Sequence, residues 1–475
     1  MTKEFRAHPL MIIKFIKPIL FVLILPIIRA VIQYLKDGTI TGFIAFEVLI
    51  LGIIFFYGVL SCRAFKIFID GKTVTVKRGW LIKQTAKIKI EQISSVNSTQ
   101  NPFDAIFGAV NYCINTEAGA INKADFQFKV SLKDAHELSD LLLGKEEVSK
   151  VRFAALKVAI MAAATSSAFS GMLIGVPILN RVGKLIGIGL EEMFEEITHI
   201  SQRMETAVPP IVNIITFVIL IAYAISFGYS FIKYINFRIF FGDNKLEVRS
   251  GFFVKARTAF KKKAIRNLLI IQTPIMSILK RYSIKVSVGG FGENKSESQV
   301  VVPAASAKEL KAEFFRYFSF LEPEGGAIRP MQTRETKSRF IGWPILYAGV
   351  AAAVFITLGI VFVDFTRLIV FTGIITAIIL LYYGYICLYE YKNARLILGE
   401  NVYIESVKGF RTCRLYSPRK NIGQIKITRF ITDKFFGTCR LRVIISSEGA
   451  DNIRIRHIKY DETVKELEKC FDMTE

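Results

Sequence analysis

Histidine is scarce in this 475-residue sequence, with four in all, and no two of them share a region. His8, His136, His199 and His457 stand far apart, and none has a cysteine or carboxylate at a metal-ligand or triad spacing. The six cysteines (Cys62, Cys113, Cys387, Cys413, Cys439, Cys470) are equally scattered. They show neither ligand spacing nor a framework of pairs, which fits free thiols in a reducing compartment. There is no Gly-x-x-x-x-Gly-Lys loop to cradle a phosphate, and Gly251, Gly289, Gly290 and Gly292 read as turns. These absences leave no catalytic residue, metal ligand or cofactor to nominate, so the expectation is a protein that is not an enzyme.

What the sequence has in abundance is apolar residues, 52% of the chain, gathered in blocks. A helix needs roughly 20 predominantly apolar residues to cross the hydrocarbon core. Six segments approach or reach that length: Leu10–Leu35, Gly42–Ser61, Val151–Val176, Pro210–Phe231, Ile341–Val363 and Leu368–Leu388. The first is too long for a signal peptide, is interrupted by Pro18 and Pro26, and has no small-x-small cleavage site after it, so it reads as a retained span. Lys14, Lys17 and Arg29 lie towards its ends, where long side chains snorkel. Glu47 sits inside the second block and is the one buried charge with a claim to a role beyond packing. No span carries a series of acidic or histidine residues that would mark an ion path.

The polar stretches between these blocks repeat. The sequence FKIFIDGKTVTVKRGW from Phe65 overlays FRIFFGDNKLEVRSGF from Phe237 after a shift of 172 positions, which pairs Val76 with Val248, Gly79 with Gly251 and Ile93 with Ile265. Gln100-Asn-Pro102 then falls on Gln272-Thr-Pro274. A third copy begins at Ala394, shifted by 157, where Arg238 meets Arg395, Ile265 meets Ile422 and Val286 meets Val443. Each copy alternates with period two, as at Thr73–Val76 and Lys285–Val288, and turn signals such as Asp70-Gly71 separate the runs. Each copy closes in a helical pattern: Lys133–Leu143, Ala307–Phe318 and Asp461–Phe471. In the second of these, Leu310, Phe314, Phe315 and Phe318 fall on one face. Short strands with one terminal helix imply a small barrel or sandwich.

The expected plan is therefore three transmembrane hairpins (10–62, 151–235 and 341–390), each followed by a β-rich module (63–148, 236–320 and 391–475), with a linker at 321–340. Hairpins return the chain to its starting side, so all modules and the N-terminus share one side. Lys3, Arg6, Arg63, Lys66, Lys392 and Arg395 flank the spans there, whereas the longest opposite connection, Pro177–Pro209, is acidic overall. That bias places the modules in the cytoplasm.

Two helices feeding a repeated β-module of this pattern resemble the bacterial pleckstrin-homology (PH) membrane proteins, and the YdbT-like group in particular. The resemblance is carried by Phe237–Val248, the Gly251-Phe252-Phe253 turn, Ala264-Ile265, the Gln272-Thr-Pro274 turn and Leu279–Val286. It implies a seven-stranded PH-like barrel capped by a C-terminal helix, a bacterial cell-membrane location and no catalytic residue. It also implies a role in envelope defence, such as tolerance of membrane-active antimicrobials, with a smaller membrane partner of the same fold.

The net charge is +23 and is uneven. Lys233–Phe320 holds 17 Lys/Arg against 6 Asp/Glu, whereas Phe65–Val148 holds 11 against 10. In the second copy the excess concentrates in Lys255, Arg257, Lys261, Lys262, Lys263, Arg266, Lys280 and Arg281, the candidate contacts for anionic lipid. Positive-inside bias and a solvated face account for the same residues without a ligand. Nucleic acid is not implied, because no base-stacking motif accompanies the charge. Trp80, Phe252 and Phe253 occupy one turn in two copies and are candidates for the membrane interface, with barrel core or rim as the alternative. Ala163, Ser167, Gly171 and Gly175 recur every four residues as a candidate helix-packing seam, within the chain or in self-association. These features point to a noncatalytic membrane scaffold that makes protein–protein and anionic-membrane contacts. A lipid- or solute-handling transporter, with the modules as gates, is the alternative.

Overall fold

The computed structural model describes residues 2–16, 42–116, 126–144, 149–167, 210–288, 299–363, 366–445 and 452–471. Copy one comprises β1 (Thr2–Arg6), α1 (Gly42–Ala64), β2 (Lys66–Asp70), β3 (Thr73–Arg78), β4 (Gln84–Lys89), β5 (Ile93–Gln100), α2 (Pro102–Ile106), β6 (Ala109–Thr116), β7 (Phe126–Ser131) and α3 (Leu132–Leu143). Copy two follows with β8 (Ser149–Arg152), α4 (Ala155–Thr165), α5 (Pro210–Tyr234), β9 (Arg238–Phe241), β10 (Lys245–Ser250), β11 (Lys255–Lys261), β12 (Ile265–Gln272), α6 (Pro274–Ile278), β13 (Tyr282–Val288), β14 (Gln299–Ala305) and α7 (Ala307–Phe318). Copy three has β15 (Ala327–Ile328), α8 (Arg334–Val361), α9 (Thr366–Asn393), β16 (Arg395–Ile397), β17 (Asn401–Lys408), β18 (Arg411–Pro418), β19 (Ile422–Thr428), α10 (Ile431–Phe435), β20 (Thr438–Ile445), β21 (Asn452–Lys459) and α11 (Tyr460–Phe471).

A strand stands on either side of the apolar stretch that opens each copy, and the two are antiparallel neighbours. Phe5 of β1 lies opposite Ile67 of β2, Val151 of β8 opposite Ile239 of β9, and Ile328 of β15 opposite Leu396 of β16. Neighbouring strands are about 4.7–4.9 Å apart, so each apolar excursion begins and ends at one point of one sheet. With this added strand, each copy opens in four strands. A short 3-10 corner (Ile90–Gln92, Lys262–Ala264 or Arg419–Asn421) then turns the chain into three more.

Seven strands per copy agrees with the PH-like count, but the expected closed barrel does not form. The corner sends the two halves of a copy into different sheets, and the halves of successive copies join edge to edge. One sheet runs β7-β6-β5-β11-β10-β9-β8, and another runs β14-β13-β12-β18-β17-β16-β15. The four-stranded β1-β2-β3-β4 and the three-stranded β19-β20-β21 are left at the two ends.

The chain divides into two compact units. The first holds residues 1–152 with the opening strands of copy two, and the second holds the helix pairs of copies two and three, the closing strands of copy two and all of copy three. In the first unit, Ile67, Val74 and Val76 from the opening strands pack with Val96, Tyr112, Phe128, Leu138 and Leu142 in one apolar core. In the second, Leu396, Ile404 and Leu415 pack with Leu441, Val443, Ile455 and Leu467 in the same manner. Ser131 caps α3 by accepting a bond from the Asp134 N–H (3.1 Å), and Ser306 with Glu309 forms a reciprocal capping box on α7. On α7, Leu310 and Phe318 are buried as the spacing predicts.

Six spans were expected. Three helices among the described residues are long and apolar enough to cross a membrane: Ile215–Tyr234, Arg334–Val361 and Ile369–Asn393. The expected third span is shorter than the sequence implies. β8 occupies its beginning, and α4 ends at Thr165 with an extended Ser166, after 11 helical residues. α1 is a single apolar helix of 23 residues. Most of Leu10–Leu35 lies outside the described residues, and its first turns pack closely on α1, where a Cβ on Gly58 would meet the Ile16 side chain at 2.9 Å.

Candidate membrane-facing surface

α8 and α9 pack against each other and leave most of their remaining surface apolar and uncovered. Ile345, Leu346, Ile356, Ile360 and Leu381 are all exposed. No charged residue interrupts α8 after Arg339, and none falls in α9 between Arg367 and Glu390. Such a surface has to be taken out of water by lipid or protein. At the end nearest the sheets it carries a girdle of rings. Trp343 lies 5.8 Å from Tyr347, and Tyr347 lies 6.1 Å from Tyr383. Tryptophan and tyrosine collect at membrane–water interfaces because the ring is apolar and its polar atom stays wet.

The hairpin β17–β18 ends on this girdle. Its tip is Gly409-Phe410, with Gly409 at φ +63° to close the turn. The Phe410 ring stacks on Tyr382 at 6.3 Å, and the Tyr382 hydroxyl donates to the Phe410 carbonyl (3.3 Å). Tyr382 precedes Glu390 by eight residues, or about 12 Å of helix. The tip therefore reaches down past the last charge of α9 to the ring level. Exposed Lys408 and Arg411 flank it.

The same turn is apolar and exposed in the other copies. Trp80, Leu81 and Ile82 join β3 to β4, between Lys77, Arg78 and Lys83. Phe252, Phe253 and Val254 join β10 to β11, next to Lys255. A second apolar knob recurs on the short helix of each copy. α2 exposes Phe103, Ile106 and Phe107; α6 exposes Ile275, Ile278 and Leu279; α10 and its flanks expose Phe430, Ile431, Phe435 and Phe436. Ile106, Ile278 and Phe435 are equivalent, and 78%, 79% and 83% of their surface is open. Each helix is followed by a left-handed residue at the same place: Gly108 (φ +68°), Lys280 (φ +50°) and Gly437 (φ +60°). The third copy has no Gln-x-Pro turn, yet it forms the helix because the Asp433 carboxylate accepts from the Phe430 N–H (3.2 Å).

The knob of copy three is tied to the foot of α8. Arg339 donates to the buried Asp433 (2.6 Å), and its guanidinium lies over the Phe436 ring (5.1 Å). Burial pushes the Asp433 pKa up. The Phe430 N–H, the Arg339 bond and the Arg440 charge outweigh that and hold the carboxyl below its usual range. His457, 3.5 Å from Asp433, is buried, and burial together with the Arg339 charge lowers its pKa to about 4 despite the opposing effect of Asp433. It is therefore neutral at physiological pH.

Above the girdle, Glu405 joins α9 to the sheet. Its buried carboxylate accepts from Arg414 (2.8 Å), Arg395 (3.0 Å), Tyr403 (2.7 Å) and Tyr389 of α9 (2.8 Å). Beside it, a cavity of about 320 Å³ is lined by Tyr282, Lys311, Glu322, Arg395, Arg414 and Tyr416 among others. Glu405 already engages the two arginines, so the cavity is not an open anion site.

Several of the basic residues singled out in copy two are engaged within the protein. Arg257 clamps the buried Glu247 with two bonds (2.7 and 2.8 Å) and contacts His136 (2.6 Å). Lys261 donates to the Ile90 carbonyl (2.7 Å). Arg281 pairs with Glu309 at 3.6 Å. Lys255 and Lys263 are exposed on β11 and its corner, Lys262 is half-buried, and Arg266 and Lys280 belong to the other compact unit. Trp80, Phe252 and Phe253 are exposed rather than part of a core. The carbonyl of Ala163 accepts from Tyr223 of α5 (2.7 Å), and Ser167 follows the end of α4. Gly171 and Gly175 lie outside the described residues, as do Lys17 and Arg29. Lys14 bonds the Gln127 carbonyl (2.8 Å), and Glu47 lies on α1. Phe410 and the three helix knobs were not singled out in the sequence. The recurring apolar pair before a Gly or Lys (Ile106-Phe107, Ile278-Leu279, Phe435-Phe436) was the available signal.

A family model described as bacterial PH domain matches residues 15–146 and again residues 188–317, together just over half of the chain. No curated protein and no solved structure matches the chain.

Proposed function

The chain belongs to the bacterial PH domain family, and from that premise we propose that it is a noncatalytic integral-membrane scaffold of the YdbT-like kind. Its three modules lie in the cytoplasm against the inner leaflet, where they contact anionic lipid and present surfaces to protein partners. The observation that carries this reading is the recurrence, in each copy, of an exposed apolar hairpin tip beside basic residues, with the tip of copy three stacked on the tyrosine girdle of α9. Fully burying one large apolar side chain is worth about 1.5–3 kcal/mol, so half-burying a knob of three stabilises membrane contact by about 2–4 kcal/mol. Flanking lysines and arginines add on the order of 1 kcal/mol each near anionic headgroups. The paired strands that bracket each apolar stretch return the chain to the sheet it left, and the three long apolar helices supply the membrane anchorage. A role in envelope defence rests on the family resemblance alone.

Thiol protection tests the reading. Phe435→Cys and Ile278→Cys, placed in a Cys470→Ser background, are expected to resist a membrane-impermeant maleimide in inside-out vesicles and to react once detergent is added. An exposed control, Glu462→Cys, should label in inside-out vesicles and stay protected in right-side-out ones. Labelling of the knob thiols as fast as the control would remove the membrane contact from the account.

A further inference from the structure

The junction between successive copies is specified twice within this chain, in one register. At the first junction β5 pairs antiparallel with β11, with Gln100 opposite Lys255 and Val96 opposite Ala259. At the second, β12 pairs with β18, with Gln272 opposite Thr412 and Leu268 opposite Tyr416. The offset that carries copy one onto copy two maps Val96 to Leu268 and Gln100 to Gln272, and the offset from copy two to copy three maps Ala259 to Tyr416 and Lys255 to Thr412. The pairing is thus a property of the repeat rather than of one pair of strands.

Three copies in a row use this junction twice and leave one half over at each end. The four-stranded sheet of copy one ends in β4, and the three-stranded sheet of copy three ends in β19. Among the described residues neither strand has a neighbour on its outer edge. Their coverage matches that position: no residue of β4 or of β19 is fully buried, whereas β11, the equivalent of β4, has three buried residues and β12, the equivalent of β19, is buried at all but one position. Ile88 of β4 and Ile425 and Ile427 of β19 pack on their cores only in part. An uncovered strand edge is a template for another strand.

We propose that β19 of one molecule pairs antiparallel with β4 of a second copy of this chain, in the register of the two internal junctions. Ile425 then lies opposite Lys87, Lys426 opposite Ala86, and Ile427 opposite Thr85, so these pairs place no two like charges directly across from each other. The second copy is the occupant because the two outer edges of one chain are the two halves of a junction it already makes. Lysine on β4 is compatible with this pairing, because β11 carries Lys261 at the position of Lys89 and uses it to bind the Ile90 carbonyl of the preceding copy. Lys89 would reach the equivalent carbonyl, that of Arg419. Against other strands the same lysines act as a guard. The contact is heterologous, so it builds a ring or an in-plane chain rather than a two-fold dimer. The inference rests on the scaffold reading and names its partner.

The test uses two differently tagged full-length chains co-expressed in one membrane, one with Ala86→Cys and the other with Lys426→Cys, both in the Cys470→Ser background. Oxidation is expected to shift both tags from monomer to dimer mass. Ala86→Cys alone, or Gln424→Cys in place of Lys426→Cys, should give much less of that product. No dimer-mass product, an adduct with a different protein, or a cross-link confined within a single chain carrying both cysteines would overturn the proposal. The thiol-protection experiment above reads the membrane contact separately, so failure of this junction and failure of the scaffold reading are distinguishable.

Discussion

Replacing Glu405 by glutamine isolates what holds the third module to the foot of its membrane helix. The carboxylate is buried between Arg395 and Arg414 and takes two tyrosine hydroxyls as well, one of them from α9. Burial raises its pKa, but the Arg414 charge, the Tyr403 and Tyr389 hydroxyls and the Arg395 charge outweigh this and hold it below the usual carboxylate range. Glutamine keeps the shape, removes the charge and turns one acceptor into a donor facing donors. Breaking a buried ion pair costs about 3–5 kcal/mol. Here the arginine side chains remain 39% and 30% exposed, so water offsets part of that loss, and about 2–3 kcal/mol is expected. At about 2–4 °C per kcal/mol the apparent Tm in detergent should fall by roughly 4–12 °C. Tm values must be compared at one scan rate, because unfolding of membrane proteins is seldom reversible. Tyr389→Phe removes one of the four bonds and should cost about 0.5–1.5 kcal/mol. Replacing Glu405, Arg395 and Arg414 together by leucine should recover most of the loss. A Tm for Glu405→Gln within about 1 °C of the parent would refute the assignment of stability to this network.

Two further outcomes follow from the backbone and from burial. Lys280 holds a left-handed conformation where the other copies use Gly108 and Gly437; Lys280→Gly should raise Tm slightly, and Gly108→Ala should cost about 1 kcal/mol, read by the same scans. His457 is held neutral with a pKa of about 4, below its unfolded value near 6.5, so its stabilisation is complete above about pH 6.5 and is lost as pH falls towards 4. His457→Asn, which tolerates the positive φ at this site, should flatten the fall in Tm between neutral pH and pH 5.

Sequence and structure agree where a period or an offset carries the information. The two offsets place the strands from β2 to β6 on their counterparts, whereas β21 starts about four residues earlier than the offset of 157 puts it, and Val74 and Val76 face the core as their alternation requires. The strands that precede each helix pair were not legible, because Thr2–Arg6, Ser149–Arg152 and Ala327–Ile328 are short and adjoin apolar helices that dominate any window. The shared sheets were hidden for a different reason. Alternation reveals which face of a strand is buried, but an edge is bonded through the backbone, and side chains do not name its partner. Charge density makes Arg257 and Lys261 candidates for lipid contact but says nothing about Glu247 or the Ile90 carbonyl, which the fold brings to them. Ile278 and Phe435 would pass for core by composition, and only their exposure distinguishes them.

Trp80 gives the most direct access to the central claim, that the apolar tips rest in the leaflet. It is one of two tryptophans, and Trp343→Phe leaves it as the only one. In proteoliposomes of that variant, lipids brominated near the top of the acyl chain should quench Trp80, and aqueous iodide should have little effect. Quenching by iodide with no response to brominated lipid would place the tip in water and contradict the account.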